Sequence, residues 1–182
     1  PRMVHRSSSK MRITDYTKGL DALFRSAPYV ERRVSAGDHL GAWEVIHPPR
    51  GVDQSRNIDN ALVMRAEFHG VRILLMSDLG ELGQETLVTH AKNLRADLVV
   101  TTIPNHGEPL QPWLLAAIRP TVILVHDSRF PLGERASAQI KSRLGRIGAQ
   151  VFYTTDVDGT RVEFTAEGWR ILNASGILWD SR

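Results

Sequence analysis

The chain has 182 residues, 42% of them hydrophobic, and carries 23 Lys and Arg against 20 Asp and Glu for a formal charge of +3. That length supports one well-buried core and is short for two, and the composition is that of a globular protein rather than a disordered one. The absence of cysteine excludes disulfide scaffolds and thiolate zinc sites, no apolar run approaches the roughly 20 residues that span a bilayer, and no signal-peptide pattern opens the chain.

Residues 1–33 read as a basic N-terminal segment with one helix. It holds Arg2, Arg6, Lys10, Arg12, Lys18, Arg25, Arg32 and Arg33 against Asp15, Asp21 and Glu31. A solvated leader is the plain reading of such a segment, and a phosphate-binding patch is the sharper one. The pI of about 9.6 is compatible with contact to nucleic acid. Thr14-Asp15 can cap a helix running to about Ser26, with Leu20, Leu23 and Phe24 on one face.

Ala36-Gly-Asp-His39 reads as a turn. The strand Leu40 to Ile46 follows, stopped by His47-Pro-Pro49. Residues 50–59 read as a polar loop without structure of its own. Asn60 to Phe68 and Val71 to Met76 form a hairpin about His69-Gly70. Residues 83–95 suit a helix, with Leu87, Ala91 and Leu94 at helical spacing. A strand from Ala96 to Ile103, a helix from Gln111 to Ile118, a strand from Thr121 to Val125 and a helix from Glu134 to Ile147 complete an alternating series. Val151 to Thr155, Thr160 to Thr165 and Trp169 to Leu172 read as strands, and residues 173–182 as a tail without pattern. The expected architecture is α/β, a mixed sheet with flanking helices closed by a small antiparallel ribbon.

Apolar strands in this series stop at residues able to bind a metal. Arg72-Ile-Leu-Leu-Met-Ser-Asp78 ends in Asp78, Val99-Val-Thr-Thr-Ile-Pro-Asn-His-Gly107 reaches His106, and Thr121-Val-Ile-Leu-Val125 runs into His126-Asp127. In α/β folds, polar groups at the carboxyl ends of parallel strands line the active crevice. Each residue also has a plainer reading. Asp78 can cap the following helix, His106 can be a loop histidine bonded to backbone, His126 can close the core beside Val122 and Leu124, and Asp127 can cap a turn through Ser128. No Ser-His-Asp arrangement, P-loop, GxGxxG or HExxH pattern is present.

The ordered set Ala36-Gly-Asp38, Val45-Ile-His-Pro-Pro49, Asp59-Asn-Ala-Leu-Val-Met64, Leu74-Leu-Met-Ser-Asp78, Glu85, Arg95-Ala-Asp-Leu-Val-Val100, Asn105-His-Gly-Glu108, Ile118-Arg-Pro120 and Thr155-Asp-Val-Asp-Gly159 resembles the C-terminal half of a metallo-β-lactamase-like domain. More narrowly, it is similar to the hydrolase-like domain of ComEC-family competence proteins, over residues 34–166. The family's Gly-Asp stands here as Ser77-Asp78, its double histidine as Asn105-His106, and its Tyr-Gly-His-Pro turn as Arg129-Phe-Pro-Leu132.

The resemblance implies an αββα metallo-β-lactamase-like fold, of which residues 34–172 would supply the C-terminal half. It implies a divalent metal, zinc or manganese, with Asp78 bridging and His106 as terminal ligand, and His126 and Asp127 as weaker candidates. It further implies DNA as a partner and metal-dependent phosphodiester hydrolysis in DNA uptake. The full-length protein would sit in a bacterial cell membrane through other segments, with this domain extracytoplasmic. The HxHxDH motif that supplies most ligands in such folds is absent from this chain. Either a missing N-terminal half carries that motif or the domain is degenerate, and weak or no hydrolysis is expected of the chain alone. The rival expectation is a non-catalytic α/β module that binds nucleic acid or a protein.

Overall fold

In a computed structural model, the protein is described over residues 2–9, 15–26, 29–104, 107–130 and 135–182. Its centre is a seven-stranded sheet of β3 (His39–Leu40), β4 (Trp43–His47), β5 (Val63–Phe68), β6 (Val71–Ser77), β7 (Leu98–Thr102), β8 (Val122–His126) and β9 (Gln150–Tyr153), side by side in that order. β3 to β6 pair antiparallel, while β6 to β9 pair parallel. The sheet is therefore mixed, and all its parallel strands end on one edge.

Helices cover one face. α2 (Glu81–His90), α3 (Pro112–Ile118) and α4 (Ala138–Leu144) are the crossovers between the parallel strands, which need connections of this length to return in the same direction. Leu87, Leu114, Ile118, Ile140 and Leu144 from these helices pack on Leu74, Met76, Val99, Ile123 and Val125 of the sheet. Because side chains alternate along a strand, Ile73, Leu98, Val122 and Leu124 face the other way. There they meet Trp169 and Ile171 of a second, three-stranded sheet made of β10 (Arg161–Thr165), β11 (Gly168–Asn173) and β12 (Gly176–Asp180). Trp43, Phe68, Phe164, Trp169 and Trp179 form a chain of ring contacts along that second interface, with centroids 4.5 to 6.3 Å apart.

Several elements differ from the expectation. The basic segment forms more than a helix: β1 (Arg2–Ser7) and β2 (Tyr29–Val34) pair in parallel on either side of α1 (Asp15–Ser26). The tail forms β12, which sets Trp179 against the buried Ile171 of β11, while Ile177, opposite Leu172, stays exposed. β1 and β2 gain each other only across the helix between them, which leaves little local signature, whereas β12 pairs with the strand directly before it. The helix placed at 134–147 spans only residues 138–144, capped by Ser137, whose Oγ accepts from Ile140 N at 3.2 Å. No helix among the described residues is long and apolar enough to cross a membrane.

Candidate functional site

β6 ends in an irregular corner. Its pairing with β7 shifts register between Leu75 and Ser77, and Ser77 has a φ of 53°. This left-handed backbone is unfavourable for a residue with a Cβ, and strain of this kind concentrates where a fold must aim a side chain. Ser77 O accepts from Thr101 Oγ1 at 3.3 Å, and Ser77 Oγ donates to Asp78 Oδ1 at 3.1 Å. Asp78 does not cap the helix that follows: Gly80 occupies that position, and the side chain that reaches the first turn is that of Asp59, on Gly83 N.

The corner opens a cleft of about 310 Å³ lined by Ser77, Asp78, Thr102, Ile103, His126, Asp127 and Ser128. Asp78, His126 and Asp127 thus meet at the carboxyl edge of the parallel strands. The register explains the meeting: Ser77 lies opposite Thr101, and Thr102 opposite His126. Thr102 Oγ1 is buried without a hydrogen-bond partner among the described residues. Asn105 and His106 lie outside the described residues.

The three described candidates are not chemically equivalent. His126 is exposed, and Asp78 half-buried with only Ser77 on its carboxylate. Asp127 is buried, and its carboxylate accepts from Thr155 N at 3.0 Å, from Thr155 Oγ1 at 2.9 Å and from Ala136 N at 3.3 Å. Burial pushes this carboxyl group up, but the bonds from Thr155 and Ala136 and the charge of Lys141 prevail and hold it below the usual range. It ties β8 to α5 (Thr154–Val157) and to the start of α4, so its oxygens are already committed to the fold.

A metal with a tetrahedral shell needs about four donors. Among the described residues, no group of three or more His, Asp and Glu side chains is placed to hold a metal ion. Asp78 and His126 supply the uncommitted donors at the cleft. The described residues therefore do not fit a complete metal centre.

Residues outside the sequence-derived set also build this region. A second cleft of about 320 Å³ shares Ser77 and Asp78 and runs on to Ser7, Ser9, Asn57, Ile58, Asn60, Ala61 and Leu62. Its floor is the stretch expected to be a featureless polar loop, which instead ends in a 3-10 turn at Asn57–Asn60 with Asp59 and Asn60 buried. Asn60 holds that loop closed, accepting from Gln54 N at 2.9 Å and donating to Gln54 O at 2.8 Å and Arg56 O at 3.1 Å. Asp59 Oδ1 accepts from Gly83 N at 3.2 Å, while Oδ2 is buried without a partner among the described residues. His47 Nε2 bonds Asp59 O at 2.9 Å from beneath. Asn60 beside a strand start was the one available signal, since a buried Asn commonly ties down a turn. Nothing in the local sequence marks Ser7 or Ser9, which come from an element of the basic segment.

The loop after β7 is clamped on its far side. Gln84 is fully buried in α2 and donates to Leu79 O and Glu108 O, each at 2.9 Å, while its Oε1 accepts from Gln111 N at 2.9 Å. Arg143 of α4 donates to Glu108 Oε2 at 2.8 Å and to Leu110 O at 2.6 Å. Glu108 thus pins this loop to a helix.

Compared with known proteins, the chain matches no protein-family model, and no curated protein matches it significantly.

Proposed function

We propose that this chain is part of a metallo-β-lactamase-like αββα domain of the ComEC type, with a hydrolase-derived cleft turned toward DNA. The observation that carries the reading is the convergence of Asp78, His126 and Asp127 on one cleft at the carboxyl edge of the parallel strands. The strained Ser77, in the place of the family's glycine, supports it as well. In the full-length protein the domain would lie outside the cytoplasm of a bacterium, attached to membrane-spanning segments, and act during DNA uptake. Its metal, zinc or manganese, would take Asp78 with His106, and His126 as a further donor.

The short donor set and the committed Asp127 argue for slow hydrolysis or none by this chain alone. They also favour the second reading, a module that holds nucleic acid or protein without cleaving it. Manganese titration with amide NMR separates these. Paramagnetic broadening is expected at Ser77, Asp78, Thr102 and Ser128, and Asp78→Ala should remove it, with little cleavage of single- or double-stranded DNA. Absence of broadening at this cleft sinks the metal reading. Rapid cleavage abolished by Asp78→Ala overturns the expectation of weak activity. DNA binding with a steep loss of affinity in salt, and no broadening, supports the second reading.

A further inference from the structure

A different cavity lies at the opposite end of the same strands. It measures about 440 Å³, and its wall includes Glu44, Arg65, Glu67, Arg72, Lys92, Leu94, Arg95 and Ala96. It sits on the helix-bearing side of the sheet, at the corner where α2 has ended and the chain turns back toward β7. Cross-strand register sets its floor: Glu44 lies opposite Arg65, and Glu67 opposite Arg72.

The two floor arginines are fixed. Arg65 donates through Nε to Glu44 Oε2 at 2.8 Å and through Nη1 to Asn93 O at 3.0 Å. Arg72 forms a forked pair with Asp97, Nε to Oδ2 at 3.0 Å and Nη2 to Oδ1 at 2.7 Å. Each guanidinium is thereby held in one orientation while Arg65 Nη2 and Arg72 Nη1 remain without a bond among the described residues. Lys92 and Arg95 stand exposed on the rim and make no side-chain hydrogen bond or ion pair among the described residues. Asp97, whose carboxyl Arg95 also influences, is already engaged by Arg72. Glu67 is the remaining carboxylate of the wall. The cavity therefore combines one unbonded Nη on each fixed arginine, unmatched rim cations and a narrow apolar edge where the largely buried Leu94 and Ala96 reach its wall.

We propose that this cavity is a binding site for a small organic phosphate monoester, with the phosphoryl group between Arg65, Arg72, Lys92 and Arg95 and its body against Leu94. The one unbonded Nη on each fixed arginine and the two rim cations suit a group with several acceptor oxygens, and a dianion gains more than a monocarboxylate from separate cations. The site is independent of the cleft at Asp78 and of the function proposed for it.

The test is amide NMR of the 182-residue chain with phenyl phosphate and, in parallel, inorganic phosphate, at constant ionic strength. Saturable shifts are expected at residues 92–96 and at Arg65 and Arg72, with phenyl phosphate the tighter ligand. Lys92→Ala combined with Arg95→Ala should weaken binding by about tenfold, as loss of two charge-assisted contacts on an open rim requires. Both side chains are exposed, so the fold is expected to survive. Arg146→Ala, the same kind of change elsewhere on the surface, should leave binding unaltered. Rising salt should weaken binding through screening. The proposal is overturned if shifts are absent or non-saturable, or if the double variant binds as well as the parent. Equal affinity for inorganic phosphate overturns the assignment to an organic ester.

Discussion

His47 shows how one side chain ties the edge of the sheet to the loop beneath the candidate site. It is fully buried, its Nε2 bonds Asp59 O, and its Nδ1 has no partner among the described residues. Burial is the main influence on its pKa and drives it down, outweighing the bond to Asp59 that pulls the other way. The folded protein thus favours neutral imidazole, whereas the unfolded chain takes a proton near an ordinary pKa of about 6.5. Stability attributable to His47 is therefore complete above that value and is lost as pH falls below it. His47→Gln keeps a donor toward Asp59 O but cannot titrate. Denaturant unfolding between about pH 7.5 and about pH 5 should show a steeper loss for the parent than for His47→Gln. Equal slopes would remove His47 as the source.

Among the elements, α2 is chiefly a polar and steric anchor. Gly83 lets it approach the 3-10 turn: a Cβ there would stand 2.6 Å from Asp59 O and 2.5 Å from Leu79 Cδ1. Alanine in place of helical glycine gains about 1 kcal/mol of propensity, but forced overpacking costs about 1–3 kcal/mol, so Gly83→Ala should be destabilising on balance. Gln84, the next residue, carries the loop after β7. Gln84→Leu keeps the bulk and leaves Gln111 N unpaired, at a cost of about 1–3 kcal/mol. Hydrogen exchange at Gln111 should accelerate in that variant while β7 stays protected. Unchanged protection at Gln111 would mean that another group holds the loop.

At the scale of the whole molecule, the sheet is stable only because both of its faces are covered. Helices cover one, and the ribbon of β10, β11 and β12 covers part of the other through Trp169 and Ile171. Trp169 is 7% exposed and Trp113 39% exposed. Truncating a buried tryptophan costs about 3–5 kcal/mol, so Trp169→Ala should shift unfolding far more than Trp113→Ala, which stays within about 1 kcal/mol. Similar shifts for the two would show that the ribbon contributes little to the core.

The alternation of strand and helix from Val63 to Tyr153 was legible in the sequence because each element carries its own periodicity and punctuation. Buried parallel strands read as apolar runs, whereas the Ser137 cap that starts α4 later than Glu134 was not read from the sequence. The strand ends at Asp78 and His126 followed from the same runs. Tertiary structure decided the rest. It alone brought Asp78 and His126 to one cleft, set Asp127 to bonding Thr155 and Ala136, and brought Ser7 and Ser9 toward Asp78. It also buried His47 and Asp59, and paired β1 with β2 across the helix between them. Local pattern records what a residue prefers from its neighbours in sequence. Pairing register and the commitment of a carboxylate depend on groups tens of residues away, and those become neighbours only when the chain has folded.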